Sequence, residues 1–184
     1  KASKIILGID PGTIIMGYGL ISINHNSLKL LDMGLLKLSA KDDAYQRLEK
    51  IHNKVTELIK LHKPESFAIE APFFGKNVQS MLKLGKAQGV SIAAALSRDI
   101  PFTEYAPKKI KQSVTGNGNS SKEQVAKMLQ TILNTKDLPV STDATDGLAA
   151  AVCHYYQSSN PLTDGKSYSG WSSFLKNNPE RLKK

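Results

Sequence analysis

The chain has 184 residues, 40% of them hydrophobic and 22% charged, with a net charge of +9. That balance fits one globular domain with its own core and excludes a disordered chain, while the basic excess favours a polyanionic partner, nucleic acid ahead of an acidic membrane. A single cysteine, Cys153, rules out an intramolecular disulfide framework and suits a reducing, cytoplasmic setting; no stretch reaches membrane-spanning length, and His25, His52, His62 and His154 show no zinc spacing with the cysteine.

The chain opens on Lys4-Ile5-Ile6-Leu7-Gly8-Ile9-Asp10-Pro11-Gly12. Its apolar residues are too continuous for a strand with one wet face, so the run reads as a central strand buried on both sides, with Asp10 at the sheet rim. Rims at the carboxyl ends of strands are where ligands bind. Taken alone, Asp10 fits equally well an Asp-Pro-Gly turn in which the side chain bonds its own backbone. Gly17 to Asn24 and Leu28 to Leu38 then read as a hairpin attached to the first strand. Asp42-Asp43 offers an N-cap for a helix carrying Leu48, Ile51, Val55, Leu58 and Ile59, which ends near His62, before Pro64. Ser66-Phe67-Ala68-Ile69-Glu70 repeats the first strand's pattern, a short apolar run closing on one carboxylate.

From Asn77 to Ser97 the sequence is helical and apolar around most of its circumference, with Gly85, Gly89 and Ala93 on one stripe. Such a helix packs on the sheet with one face and leaves another for a second subunit or an internal neighbour. Pro101 to Tyr105 reads as a strand and Lys108 to Val114 as a short helix with Pro107 in its first turn. After the Gly116-Asn117-Gly118-Asn119 loop, Ser120-x-x-Glu123 has the spacing of a capping box for a helix reaching about Leu133. A polar linker with Pro139 leads to a last helix, Thr142 to His154, whose Asp143 and Asp146 share a face in the first turn. The helix dipole there favours ionised carboxylates, a common structural use of acids that equally suits them as ligands.

Two strand-end acids and an Asp-x-x-Asp helix start, in this order of elements, resemble the RuvC family of Holliday junction resolvases within the RNase H-like superfamily. The resemblance runs from about Lys4 to Tyr156. It rests on Gly8-Ile9-Asp10-Pro11-Gly12, Gly17-Tyr18-Gly19, Phe67-Ala68-Ile69-Glu70, Lys76-Asn77, Leu82-Lys83-Leu84-Gly85, Ala87-x-Gly89-Val90, Glu104-Tyr105, Val114-x-Gly116 and Asp143-Ala144-x-Asp146. It implies an α/β fold, a mixed five-stranded sheet with helices on both faces, over residues 1–158. It further implies an acidic tetrad of Asp10, Glu70, Asp143 and Asp146, with Lys111 and Lys122 as basic partners and Phe73 as a junction-facing aromatic. Lys76, Asn77, Lys108 and Lys109 complete the expected DNA-binding set. Departures are Ala71-Pro72 after the second acid, Gly147 where Ala is usual, and a longer tail.

The expected activity is cleavage of four-way DNA junctions by a homodimer whose two active sites are related by a twofold axis, working alongside branch-migration motor proteins. Oxygen-only acid clusters suit hard cations, so Mg²⁺, expected at two ions per site with Mn²⁺ able to substitute, is the implied cofactor. Two other classes share features of this chain. Gly8-Ile9-Asp10-Pro11-Gly12-Thr13 also looks like the first phosphate loop of actin-like ATPases and sugar kinases, although no second such loop follows; a catalytically silent DNA-binding relative commonly loses acids that are all present here. Residues 159–184 read as a basic C-terminal extension, in which Trp171, Phe174 and Leu175 have one-turn spacing that predicts docking of Trp171 on the domain or a partner subunit.

Overall fold

The uninterrupted apolar run at the start of the chain becomes β1 (Lys4–Asp10), the middle strand of a five-stranded sheet. This is seen in a computed structural model, which describes residues 3–25, 27–39, 41–72, 77–135, 138 and 143–158. The elements that follow are β2 (Ile15–Asn24), β3 (Ser27–Lys37), α1 (Ala44–His62), β4 (Ser66–Glu70), α2 (Val78–Leu96), β5 (Phe102–Tyr105), α3 (Pro107–Thr115), α4 (Lys122–Ile132) and α5 (Asp143–Ser158). The expected Trp171 contact, with the rest of 159–184, falls outside the described residues.

The sheet order is β3-β2-β1-β4-β5, with β1–β2 and β2–β3 antiparallel and β1–β4 and β4–β5 parallel. Successive side chains of a strand face opposite ways, and β1 fills both sides. Leu7 and Ile9 join Met16, Leu20, Phe67 and Ile69 in one core beneath α1 and α2; Ile6 joins Ile21, Ala68 and Tyr105 in a second core beneath α3, α4 and α5. Full burial of each large apolar side chain contributes about 1.5–3 kcal/mol relative to exposure, so a central strand serving two cores fixes its own register firmly.

Helix ends follow local chemistry. Asp43 caps α1 by accepting from the Gln46 amide at 2.8 Å, while Gln46 Oε1 accepts from the Asp43 amide at 3.1 Å. The capping box of α4 lies one residue later than the spacing suggests: Ser121 and Gln124 form it. Ser120 is instead buried, its hydroxyl 2.8 Å from that of Thr115, which closes the loop between α3 and α4. Helix α2 buries Ala87, Gln88, Ser91, Ala94 and Ala95; its opposite stripe stays open, and among the described residues nothing beyond the helix's own backbone and the chain neighbours lies within 4 Å of where a Cβ would sit on Gly85 or Gly89.

The long last helix meets the sheet at backbone distance. Gly8 on β1 and Gly17 and Gly19 on β2 face α5, and a Cβ on any of them would collide with the helix: with the Gly147 carbonyl from Gly8, the Asp143 carbonyl from Gly17, and Leu148 from Gly19. From the helix side, a Cβ on Gly147 would lie 2.7 Å from Tyr18 Cα and 2.8 Å from the Gly17 carbonyl carbon, both backbone atoms that cannot swing aside. The glycine at 147 is therefore required by the packing here. Gly147→Ala should lower stability by about 1–3 kcal/mol through overpacking, whereas Gly85→Ala, in open space on α2, should not destabilise an isolated protomer. Urea denaturation of both variants checks this; equal midpoints for Gly147→Ala and wild type would contradict the tight seam.

Candidate active site

Strand periodicity decides where the acids point. On β1, Ile6 and Gly8 face α5, so Asp10, two residues on, faces it too; on β4, Ala68 faces that side and Glu70 follows it. The strands are parallel with Gly8 opposite Ala68 and Ile9 opposite Ile69, which puts Asp10 and Glu70 side by side at the carboxyl rim. Asp10 also lies opposite Gly17 across β2, and Gly17 touches the first residue of α5. Asp143 and Asp146, one helical turn apart on α5, thus arrive over Asp10.

Ligand oxygens of Asp10, Asp143 and Asp146 all lie within 4.8 Å of one another. Glu70 stands outside that group of three, yet its charge is felt by Asp10, and it feels that of Asp146. Burial, reinforced by Glu70, Asp146 and Asp143, pushes the Asp10 carboxyl from its usual 3.8 up to about 8. Burial and then Asp146 push Glu70 from 4.5 up to about 7, with Lys122 and Lys111 working against the rise. Lys122 supplies the direct countercharge: its Nζ donates to Asp146 Oδ2 at 2.6 Å and to Asp143 Oδ1 at 3.3 Å. Burial opposes its charge, but those hydrogen bonds outweigh it and hold the ammonium well above its ordinary pKa. Clustered carboxylate oxygens, with Asp10 and Glu70 favoured in their protonated forms, are a donor set that fits a hard divalent cation, because a cation relieves the repulsion that protons otherwise relieve.

A family described as Crossover junction endodeoxyribonuclease RuvC matches residues 6–154 of this chain. The chain belongs to the RuvC family. Relatives named Crossover junction endodeoxyribonuclease RuvC from Christiangramia forsetii and Bacteroides fragilis are each 58% identical to it, the first over 183 residues that span 100% of this chain and 95% of the relative, the second over 182 residues, 98% and 96%. Thermus thermophilus RuvC in complex with Holliday junction substrate aligns with a TM-score of 0.79 at 32% identity, covering 84% of this chain and 94% of that one. The RNase H-like sheet with helices on both faces is therefore the fold of a RuvC family member, and this family is metal-dependent.

Within this member of the RuvC family, the structure brings together Asp10, Asp143, Asp146 and Lys122, with Glu70 and Lys111 within electrostatic reach. Lys108 and Lys109 are exposed on α3, and Asn77 caps α2 by accepting from the Ser80 amide at 3.0 Å. Phe73 and Lys76 fall outside the described residues. What the sequence did not assign a role was the glycine seam that delivers α5. Glycines two apart on a strand, as in Gly17-Tyr18-Gly19, lie on one face and signal close approach of another backbone.

The raised carboxyl pKa values make a sign-definite prediction. A folded-state value above the unfolded one means that the fold favours the protonated form, so the stability tied to Asp10 is complete in acid and is lost as pH climbs from about 4 toward about 8. Asp10→Asn removes this loss. In the presence of chelator, urea denaturation should find the variant more stable than wild type by a few kcal/mol near pH 8, the gap closing toward pH ~4.5. An equal gap at both ends would contradict the buried-charge account.

Proposed function

We infer that the protein is a crossover junction endodeoxyribonuclease, hydrolysing phosphodiesters at four-way DNA junctions with Mg²⁺, for which Mn²⁺ can substitute. The observation that carries the reading is the convergence of Asp10, Asp143 and Asp146, with Glu70 beside them, at the rim of a RuvC-family sheet. Bound there, a divalent cation supplies Lewis-acid polarisation of the phosphate and a water of lowered pKa.

The chain's own residues do the rest. Asp10, with the buried carboxylate most strongly disfavoured as a free charge, is the central ligand, and Asp143, Asp146 and Glu70 complete the oxygen set. Lys122 holds the helix-borne acids in place and lies where negative charge growing on a phosphate is offset. Lys111, close enough to act on Glu70, adds to that offset from α3. Lys108, Lys109 and Asn77, with Lys76 and Phe73 as sequence matches outside the described residues, complete the proposed DNA-binding set, the lysines acting on phosphates and Phe73 by stacking at the crossover. Incubating the protein with a synthetic four-way junction and with linear duplex, with and without Mg²⁺, should give cleavage of the junction with metal only. Asp10→Asn, Glu70→Gln, Asp143→Asn and Asp146→Asn should each abolish cutting and leave junction binding intact. Retention of near wild-type cutting by any of them would remove that residue from the site.

Symmetric resolution of a four-way junction needs two such sites, and α2 carries a surface suited to join them. Val78, Leu82 and Leu96 are 62%, 55% and 53% exposed, and with Gly85, Gly89 and Ala93 they form one lengthwise stripe. Apolar and small residues at this spacing suit a second copy of the same helix. Gly89→Leu should weaken self-association in sedimentation and turn paired cuts into single nicks. A wild-type protein that sediments as a monomer at micromolar concentration, free and on DNA, would refute the dimer.

A further inference from the structure

Tyr105 closes β5 directly beside Glu70. The two residues are register partners across the parallel β4–β5 pair, and the Tyr105 carbonyl accepts at 2.9 Å from the amide of Ala71, the residue after Glu70. Its ring enters the α5-side core. There its hydroxyl shares a 2.9 Å hydrogen bond with Nδ1 of His154, the rings meeting edge to face at 5.9 Å between centroids. Burial pushes the phenol up to about 12 and the imidazole below its ordinary value, which favours the neutral form of both rings. Thr103 lies on the same face of β5. Either ring can supply the proton of the Tyr105–His154 bond, according to the imidazole tautomer.

His154 lies on α5, the helix whose first turn carries Asp143 and Asp146. The glycine seam fixes that helix to β1 and β2, which settles the spacing of Asp10, Asp143 and Asp146. Glu70 is on β4, the strand next to β1 on the side away from β2, and stands outside the group of three. Pairing with β1 and packing of α5 on Ala68 hold β4 near that helix, and the Tyr105–His154 bond adds a side-chain tie between the β4–β5 rim and the same helix. Tyr105 shares its core with Ile110 and Val114 of α3, the helix that carries Lys111.

We propose that Tyr105, held by His154, is a positioning residue that fixes Glu70 relative to the Asp143–Asp146 pair and so brings the fourth carboxylate within reach of the cation. The proposal rests on reading the four acids as one cation site. Outer-shell partners of metal ligands typically contribute about 10–100-fold in affinity, and a tie acting through one ligand of four belongs at the low end, about tenfold.

Mn²⁺ binding to the full chain without DNA, measured by calorimetry, supplies a readout independent of turnover. Tyr105→Phe keeps the ring and should weaken Mn²⁺ binding about tenfold, with the Mg²⁺ midpoint for junction cleavage moving by a similar factor. His154→Leu should reproduce that loss, and His154→Asn, which keeps a hydrogen-bonding amide near the Nδ1 position, should restore most of it. In a Glu70→Gln background Tyr105→Phe should add nothing, because the residue acts through Glu70. Wild-type Mn²⁺ affinity in Tyr105→Phe, or a further full loss in the Glu70→Gln background, would overturn the proposal. A wild-type chain that binds no divalent cation and cuts no junction would instead overturn the reading of the site itself.

Discussion

The structure depends on one contact, the approach of α5 to β1 and β2 at backbone distance. Gly8, Gly17, Gly19 and Gly147 create it by having no Cβ, and through it acids from the two ends of the chain become neighbours. The contact works against charge. Burial first, and then repulsion among carboxylates gathered at one rim, raises the energy of the ionised site, which the elevated Asp10 and Glu70 values register. The opposing stabilisation comes from the two cores on either side of β1, whose large side chains are almost wholly buried. The fold thus holds a local electrostatic strain that hydrophobic packing sustains.

Charge is arranged oppositely at two scales. The chain as a whole carries +9, which draws a polyanion from solution, while the site itself is acidic and repels phosphate at close range. Lys122 and Lys111 mediate between the two, since Lys122 is paired with Asp143 and Asp146 and Lys111 acts on Glu70. An approaching phosphate therefore meets attraction at long range and, at short range, a site made receptive only by positive charge among its acids.

Much of this was legible in the sequence because it follows short-range rules. Asp10 and Glu70 could be placed at a rim from the apolar runs they close, and Asp143 and Asp146 on one helical face from their spacing. The boundaries of α1 and β4 followed from Asp43, Pro64 and the Ala71-Pro72 stop. The α4 cap was one residue off because Ser120 and Ser121 are chemically alike, and only the Thr115 contact tells them apart. The second face of α2 was open to an internal partner or to another subunit on sequence alone; in the fold it has no neighbour within the described residues at Gly85 or Gly89. Least legible were contacts made across the fold. Tyr105 and His154 are 49 residues apart, and nothing in the local spacing of either announces the other. Lys122 was matched by resemblance, but its grip on both helix-borne acids belongs to the folded arrangement.

The placement of Asp10 on the first strand and Asp143 and Asp146 on the last helix has a consequence for how the enzyme comes into being. During synthesis the sheet can begin to form as its strands emerge, yet the acids that complete the site leave the ribosome after almost all of the rest of the domain. Closing so long a loop is entropically slow relative to local pairing, so the site forms only when the final helix seats on the glycines. On the proposed reading of the four acids as the cutting centre, a nascent or truncated chain exposes a basic surface before it possesses that centre, and hydrolytic capacity becomes a late marker of completed folding.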